Sequence, residues 1–175
     1  MSVEPWLQTY SGKVFDLKNL ITFKPDIEDI AHALAHSCRF SGHCLEFYSV
    51  AQHSVLASFF ARPDLKKWAL LHDASEAYLS DIPRPLKPLL PDYIKIEKIV
   101  QSRIDDYFGL SGERPKEIIE MDLRLLATEK RDLMSPEPKT WGLPLPPFKA
   151  KINPLPPREA KAMFLDQYER LFKNG

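Results

Sequence analysis

Apolar residues along this chain recur mostly at the spacing of an α-helix. In residues 25–36 they fall at i, i+3, i+4 and i+7, at Ile27, Ile30, Ala31 and Leu34, after a predicted N-cap at Asp26. Similar periodicity predicts further helices over 49–60, 61–79, 93–108, 115–133 and 158–172. Ser49 with Gln52 three residues later is the sequence pattern of a capping box. The pattern therefore predicts an all-α class.

Three stretches depart from the helical pattern. Residues 9–17 carry a Ser-Gly turn between apolar residues and predict a small hairpin or extended arm. Residues 80–92 contain four prolines and cannot be helical throughout. Residues 135–157 hold eight of the sixteen prolines. Because that stretch also contains Trp141, Leu143, Leu145 and Phe148, we expect an ordered extended segment before the last helix, with a disordered tail as the alternative.

Composition and charge limit the classes of partner. The 175 residues suit a single domain over 1–175, and 24 basic residues balance 24 acidic ones. Zero net charge gives no reason to expect long nucleic acid or an anionic membrane surface as a partner. The sequence has no apolar run of 18 residues and no signal-peptide pattern at its start, so we expect a cytoplasmic protein. Cys38 and Cys44 are expected to be free, partly buried thiols.

Candidate chemistry lies on the apolar helices. On a continuous helix over 61–79, His72 and Glu76 share one face and Asp73 borders it. His53 lies in the apolar helix 49–60. Asp122 has Ile118, Leu125 and Leu126 at helical spacing, so it points at the core, where a carboxylate needs a partner.

Two imidazoles and two carboxylates, from His53, His72, Asp73 and Asp122, suit Mn, Fe, Co, Ni or Zn. A single such residue on an apolar face is more often a hydrogen-bonded core group than a metal ligand, and spacing alone does not make the four converge. His32, His36 and His43 are competing histidines. We prefer a solvated face or loop for them, because no nearby buried carboxylate completes a set.

The ordered motifs resemble those of the HD superfamily of metal-dependent phosphohydrolases. The matching stretches are "YSVAQHS", "LLHDASEAYLSDIPRPLK" and "EMDLRLLATE". The closer resemblance is to the 5′-deoxynucleotidases and their phage-encoded relatives, with Arg39-Phe40, then His72-Asp73, then the Asp81-to-Lys87 segment "DIPRPLK". Phe40 stands where a Trp is common in that family. The resemblance implies an HD-domain helical bundle that hydrolyses a deoxynucleoside 5′-phosphate at the 5′-phosphorus.

The resemblance also implies roles for the residues around the metal. Glu76 would be the general acid/base, with Asp81 as a second catalytic carboxylate held beside the metal water or the sugar. Arg39 and Lys87 would contact phosphate, and Phe40 would stack on base or sugar. A cap or turn residue is the alternative for Asp81, and core packing is the alternative for Phe40. For Arg84 a solvated loop charge is the simpler interpretation, and a contact to a longer phosphate chain is the alternative.

Two other functions stay open from the sequence. A deoxynucleoside triphosphate triphosphohydrolase, such as the dATP-specific enzymes among the phage relatives, would attack the same α-phosphorus and release triphosphate. A non-catalytic nucleotide-binding regulatory module would have no need of Glu76 beside the metal. The resemblance further implies a homo-oligomer, a dimer or larger.

Overall fold

The computed structural model describes residues 4–110 and 112–173, which form one hairpin and seven α-helices. Strands β1 (Trp6–Gln8) and β2 (Val14–Asp16) are antiparallel, with Leu7 opposite Phe15. The helices are α1 Ile27–His36, α2 Val50–Phe60, α3 Lys66–Leu71, α4 Glu76–Leu79, α5 Pro91–Tyr107, α6 Lys116–Leu133 and α7 Pro157–Phe172. The mostly helical class and the hairpin are as predicted. The single-domain prediction for 1–175 includes residues 1–3, 111 and 174–175, which lie outside the described residues.

Helix α2 is central, because it packs against α1, α3, α6 and α7. Its side chains are buried almost all round, as expected for a helix without a polar face. The Ser49 hydroxyl accepts a hydrogen bond from the Gln52 N–H at 3.1 Å. The predicted capping box is nevertheless only half formed. The Gln52 side chain instead bonds to the Asn153 carbonyl and the Leu155 N–H at 2.7 and 2.9 Å.

Two apolar clusters form the core on either side of α2. The larger contains Phe15 of the hairpin together with side chains of α1, α5 and α7, such as Ile30, Ile104 and Phe164. The smaller lies between α2 and α6 and includes Tyr48 and Leu125. Of the described residues, no helix combines the length and the apolarity needed to cross a lipid bilayer.

The predicted continuous helix over 61–79 is wrong. A 3₁₀ turn at Pro63–Leu65 leads into α3, which ends at Leu71, and α4 begins only at Glu76. The four residues between them, 72–75, form hydrogen-bonded turns in which backbone N–H groups reach the third residue back, as in Ala74 N to Leu71 O at 3.1 Å. We call residues 72–75 the HD turn.

The proline-rich segment is ordered and extended, as predicted, and lies along α6. The Phe148 N–H donates to the Thr128 hydroxyl at 2.9 Å, and Ile152 N–H donates to Asp132 at 2.9 Å. Arg131 donates to the carbonyls of Phe148 and Ala150. With the two Gln52 bonds, these contacts fix the segment between α6 and α7.

Candidate metal centre

Three of the four predicted ligands, His53, His72 and Asp122, form one cluster, and Asp73 borders it beside the two histidines. Helix α2 supplies His53, the HD turn supplies His72 and Asp73, and α6 supplies Asp122. The Nε2 atoms of the two histidines are 3.2 Å apart, and the ligating atoms of His53, His72 and Asp122 all lie within 4.8 Å of one another. Asp73 Oδ2 lies 3.1 Å from His72 Nε2 and 3.5 Å from His53 Nε2. These residues can therefore hold a metal ion between them.

Hydrogen bonds fix both imidazoles in the orientation a metal needs. His72 Nδ1 lies 2.7 Å from the Ala69 carbonyl oxygen, and His53 Nδ1 lies 2.6 Å from Glu129 Oε1. Because a carbonyl or carboxylate oxygen can only accept here, each Nδ1 carries the proton. In the neutral rings each Nε2 then presents its lone pair to the shared point, which is the arrangement of metal-ligating histidines.

The spacing of the donor atoms suits a small divalent ion. Metal–ligand bonds of about 2.1 Å at angles between square and tetrahedral place ligand atoms roughly 3.0–3.4 Å apart. Asp122 Oδ1 lies 3.4 Å from His53 Nε2 and 3.9 Å from His72 Nε2, and the remaining separations of the histidine nitrogens are 3.1–3.5 Å. The His53–Asp73 separation lies 0.1 Å above this range, and the His72–Asp122 separation of 3.9 Å exceeds it clearly.

The cluster is also held together by opposite charge. Burial disfavours a charge on His53 and so does Arg39, yet Glu129, Asp122 and Asp73 together hold its pKa well above the ordinary value. Burial likewise opposes ionisation of Asp73 and Asp122, and both histidines nevertheless hold the pKa of each carboxyl well below its usual range. A divalent cation bound at this point would take the place of the protons on the imidazoles.

The two oxygens of Asp122 have different partners. Oδ1 faces the histidines, whereas Oδ2 accepts a hydrogen bond from the Arg84 guanidinium at 3.2 Å. The Arg84 side chain remains 60 % exposed. Arg84 is therefore more than a solvated loop charge, because it binds the outer oxygen of a candidate ligand at the rim of the site.

Glu129 is a site residue that the sequence reasoning missed. It is fully buried on α6, where Oε1 faces His53 and Oε2 accepts a hydrogen bond from Arg39 at 2.9 Å. Burial opposes its ionisation, but Arg39 and His53 lower the pKa of its carboxyl. Its position, seven residues after Asp122, puts both carboxylates on one face of the helix, which was a usable signal.

Arg39 is buried, which differs from an open phosphate-binding residue. One edge of its guanidinium bonds to Glu129, while Nη1 lies 3.9 Å from Asp73 Oδ2 and so faces the candidate metal ligands. Two backbone hydrogen bonds join the ends of the loop that contains Arg39 and so position it. The Arg39 N–H donates to the Tyr48 carbonyl, and the Val50 N–H donates to the Ser37 carbonyl.

Glu76 is a buried carboxyl beside the cluster. Its Oε2 is buried without a hydrogen-bond partner among the residues that the structure describes. Burial, and after it the charges of Asp73 and Asp81, raise the pKa of Glu76 well above its ordinary value. Lys87 Nζ lies 3.7 Å from Glu76 Oε1 and bonds to Glu97 Oε1 at 2.7 Å. The half-buried Asp81 also has a raised pKa, mainly through burial.

An aromatic pair lies beyond Arg39, outside the cluster. The Arg39 guanidinium carbon is 5.3 Å from the centre of the Phe40 ring, and the Trp141 ring is 5.9 Å from Phe40. Phe40 has a positive φ of 54°, an uncommon backbone conformation for an aromatic residue. Trp141 comes from the proline-rich segment and is 38 % exposed. No pattern in the sequence predicts that Trp141 lies near Phe40.

The competing histidines lie apart from the cluster. His32 stacks between Tyr10 and His36, with ring centres 3.7 and 4.2 Å away, and His36 bonds to the His32 carbonyl. His36 and His43 are exposed, as predicted, whereas His32 is only half-buried and packs on the hairpin. Cys38 and Cys44 are free and partly buried, as predicted.

Comparison with known proteins gives relatives but no activity. No family model matches the chain. It is 39 % identical over 170 residues to "Uncharacterized protein YfdR" of Escherichia coli K12, a match that covers 95 % of each chain. It is 36 % identical over 123 residues to "Uncharacterized protein RCAP_rcc00048" of Rhodobacter capsulatus, covering 65 % of this chain and 63 % of the relative. Neither name states a reaction.

Proposed function

The chain belongs to the same family as Escherichia coli YfdR, and we propose that it is an HD-superfamily phosphohydrolase, a 5′-deoxynucleotidase that requires a divalent transition metal. The observation that carries the proposal is the pair of buried imidazoles. Both commit Nδ1 to a fixed acceptor and turn Nε2 toward the same carboxylates. A satisfied core histidine has no need of a second imidazole nitrogen at 3.2 Å.

His53, His72 and Asp122 would hold the metal, with Asp73 as the fourth ligand. Mixed nitrogen and oxygen donors suit Mn, Fe, Co, Ni or Zn. When bound, such an ion polarises a phosphoryl oxygen and acidifies water for attack on phosphorus. The protein supplies the orientation of the ligands and a largely water-excluded setting.

Glu76 would donate and accept the proton in the reaction. Burial raises the pKa of its carboxyl well above the ordinary value, which favours the protonated form that a general acid needs. The protonated form can donate to the 5′-oxygen of the departing nucleoside, and the ionised form can accept a proton from the attacking water. The unpartnered Oε2 supports this role, because it is the oxygen of Glu76 left free for another group. Asp81 would assist from the start of the proline loop.

The substrate would lie between the cluster and the aromatic pair. Arg39 Nη1 and Lys87 Nζ are cations beside the cluster and would contact the phosphate. Phe40 and Trp141 lie on the far side of Arg39, where a nucleobase can stack. A deoxynucleoside monophosphate fits this order of metal, cation and aromatic surface.

Arg84 favours a second candidate, the triphosphohydrolase. Its exposed guanidinium at Asp122 is a cation at the rim, beyond the metal ligands. A triphosphate would need such an additional cation for its outer phosphates. Attack at the same α-phosphorus would then release triphosphate.

A product screen tests the proposal. The protein is incubated with all four dNMPs and dNTPs in the presence of Mn, Co, Zn or Mg, and the products are identified as phosphate or triphosphate. We expect phosphate from at least one dNMP. His72→Ala should abolish that release, and the matched change at the exposed His36, His36→Ala, should leave it intact. Triphosphate from dNTPs without dNMP turnover would establish the second candidate, and no turnover of either class would contradict both.

A further inference from the structure

A buried glutamine from another helix interrupts the helix at the candidate ligands. In a continuous helix the Ser75 N–H would donate to the Leu71 carbonyl, four residues back. Here Ser75 N–H donates to Gln101 Oε1 at 3.0 Å, and Gln101 Nε2 donates to the Leu71 carbonyl at 2.8 Å. The Gln101 amide, on α5, is thus inserted into the position of one helical hydrogen bond.

The orientation of this amide is fixed. Besides Leu71 O, Gln101 Nε2 donates to Asp105 Oδ1 at 2.8 Å, one turn later on α5. Because the nitrogen faces two acceptors and the oxygen faces a donor, the flipped amide would break all three bonds. Gln101 is 7 % exposed, so these bonds are shielded from water.

The next helical hydrogen bond is displaced as well. In a regular helix the Glu76 N–H would donate to the His72 carbonyl. Here it donates to the Asp73 carbonyl at 3.0 Å, so the His72 carbonyl does not accept the Glu76 N–H. Arg114 Nη2 donates to that carbonyl at 2.7 Å instead. Side chains from outside the segment therefore satisfy both ends of the HD turn.

We propose that Gln101 is a positioning residue that sets the HD turn so that His72 and Asp73 reach one metal ion. Consecutive residues of a regular helix diverge by about 100°, yet His72 Nε2 and Asp73 Oδ2 are only 3.1 Å apart. Both belong to the turn that the inserted amide holds open. The consequence for metal binding rests on the proposed function, whereas the support of the turn does not.

A matched pair of variants separates this role from general stability. Gln101→Met keeps the length of the side chain and removes its hydrogen bonds. Gln167→Met is the control, because Gln167 is also a buried helical glutamine, and its amide donates to Ser58 Oγ at 3.0 Å, away from the turn. The readouts are the Mn²⁺ dissociation constant, the visible spectrum of the Co²⁺-loaded protein, and amide exchange of Ser75 in the metal-free protein.

We expect Gln101→Met to raise the Mn²⁺ dissociation constant about 10- to 100-fold, the usual effect of removing a group that orients metal ligands. Its Co²⁺ spectrum should change and its Ser75 amide should exchange at least about tenfold faster, because the acceptor of that N–H is lost. In Gln167→Met, the Mn²⁺ dissociation constant and the Ser75 exchange rate should stay within about threefold of those of the unchanged protein.

The outcomes separate the two proposals. If the unchanged protein binds no metal, the proposed function fails, and the exchange of Ser75 still decides the role of Gln101 in the turn. Equal Ser75 exchange in both variants would overturn the role of Gln101 in the turn. Equal Mn²⁺ affinity with an unaltered Co²⁺ spectrum would overturn its role in positioning the metal ligands. Should Gln101→Met not fold, Gln101→Glu keeps an acceptor for Ser75 and loses the donor to Leu71. That variant should still weaken Mn²⁺ binding several-fold, roughly 3- to 10-fold, and unchanged affinity would overturn the inference.

Discussion

Glu129 is a buried carboxylate that joins His53 of the candidate metal centre to the guanidinium of Arg39. Its oxygens bond separately to His53 and Arg39, and all three side chains are buried. Glu129→Gln keeps the shape but leaves the Arg39 charge without its main counter-charge. Removing one partner of a buried ion pair costs about 3–5 kcal/mol. We expect a loss of that order in the free energy of unfolding measured with urea.

The control for Glu129 is Glu120 on the same helix. Glu120 is exposed, so Glu120→Gln should change the free energy of unfolding by less than about 0.5 kcal/mol. A loss below about 1 kcal/mol for Glu129→Gln would mean that Arg39 finds other compensation in the cluster.

Glu76 is the residue on which the proposed chemistry depends most. Glu76→Gln removes the transferable proton while preserving the size of the side chain, so kcat should fall by about 10²–10⁴. Metal content, measured on the same sample, should be unchanged. Glu97→Gln is the control, because it removes the other carboxylate of Lys87 and should lower kcat by less than about tenfold. Loss of metal from the Glu76 variant would make Glu76 a ligand and contradict the assigned role.

At this scale the sequence predicted which side chains form the cluster better than it predicted their neighbours. Asp122 was recognisable because apolar residues flank it at helical spacing, and its side chain on α6, 20 % exposed, faces the buried His53 as that reasoning expected. Glu129 has Leu125 and Leu133 at the same spacing, both buried, so the same test would have found it. The partner of Arg39 could not be predicted, because a loop arginine pairs with whatever the tertiary fold brings near.

At the scale of elements, local signals were reliable only where their cause was local. Residues 80–92, with their four prolines, contain no continuous helix, and Asp26 and Ser49 began helices, all as predicted. The break at the HD turn has no local cause. Apolar periodicity continues through it, and the interrupting amide belongs to α5, about 30 residues later. Local periodicity therefore predicted a straight helix where the candidate site needs a turn.

The proline-rich segment brings Trp141 to Phe40, which predicts a role in recognising the base. Trp141→Ala should reduce kcat/KM for a dNMP roughly 5- to 150-fold, since stacking of a base on an aromatic side chain is worth about 1–3 kcal/mol. Deoxyribose 5-phosphate has no base, so kcat/KM for it should be unchanged. Trp6→Ala, in the hairpin, is the control for loss of an exposed tryptophan. Equal losses on both substrates would place Trp141 outside the base site.

Arg84, in the proline loop, distinguishes the two candidate substrates. With a monophosphate, Arg84→Ala should change kcat/KM by no more than about fivefold, because an exposed ion pair is worth about 0–1 kcal/mol. With a triphosphate, loss of a charge-assisted contact should cost about 1.5–3 kcal/mol, roughly 10- to 150-fold. Steady-state kinetics on matched dNMP and dNTP pairs measure the difference. A large loss on dNMP alone would mean that Arg84 acts through Asp122.

At the scale of the whole molecule, the candidate site lies where three parts of the chain meet. Helix α2, the HD turn and α6 each contribute ligands, so an ion bound between them adds a link between the two apolar clusters. The unfolded chain would not present these donors together, so binding should favour the folded state. This makes global stability a test of the metal centre that does not depend on knowing the substrate.

We therefore expect Mn²⁺ or Co²⁺ to raise the melting temperature of the metal-stripped protein. At a free concentration 100 times the dissociation constant, binding to the folded state contributes about 2.7 kcal/mol. For a chain of this length that corresponds to a rise of roughly 5–11 °C, which a chelator should reverse. Asp122→Asn removes a ligand charge and should abolish most of the rise, while Asp92→Asn, at an exposed carboxylate of α5, should retain it. An equal rise in both variants would show that the ion binds elsewhere, and no rise in the unchanged protein would show that the His–Asp cluster is a structural ion-pair network without a metal.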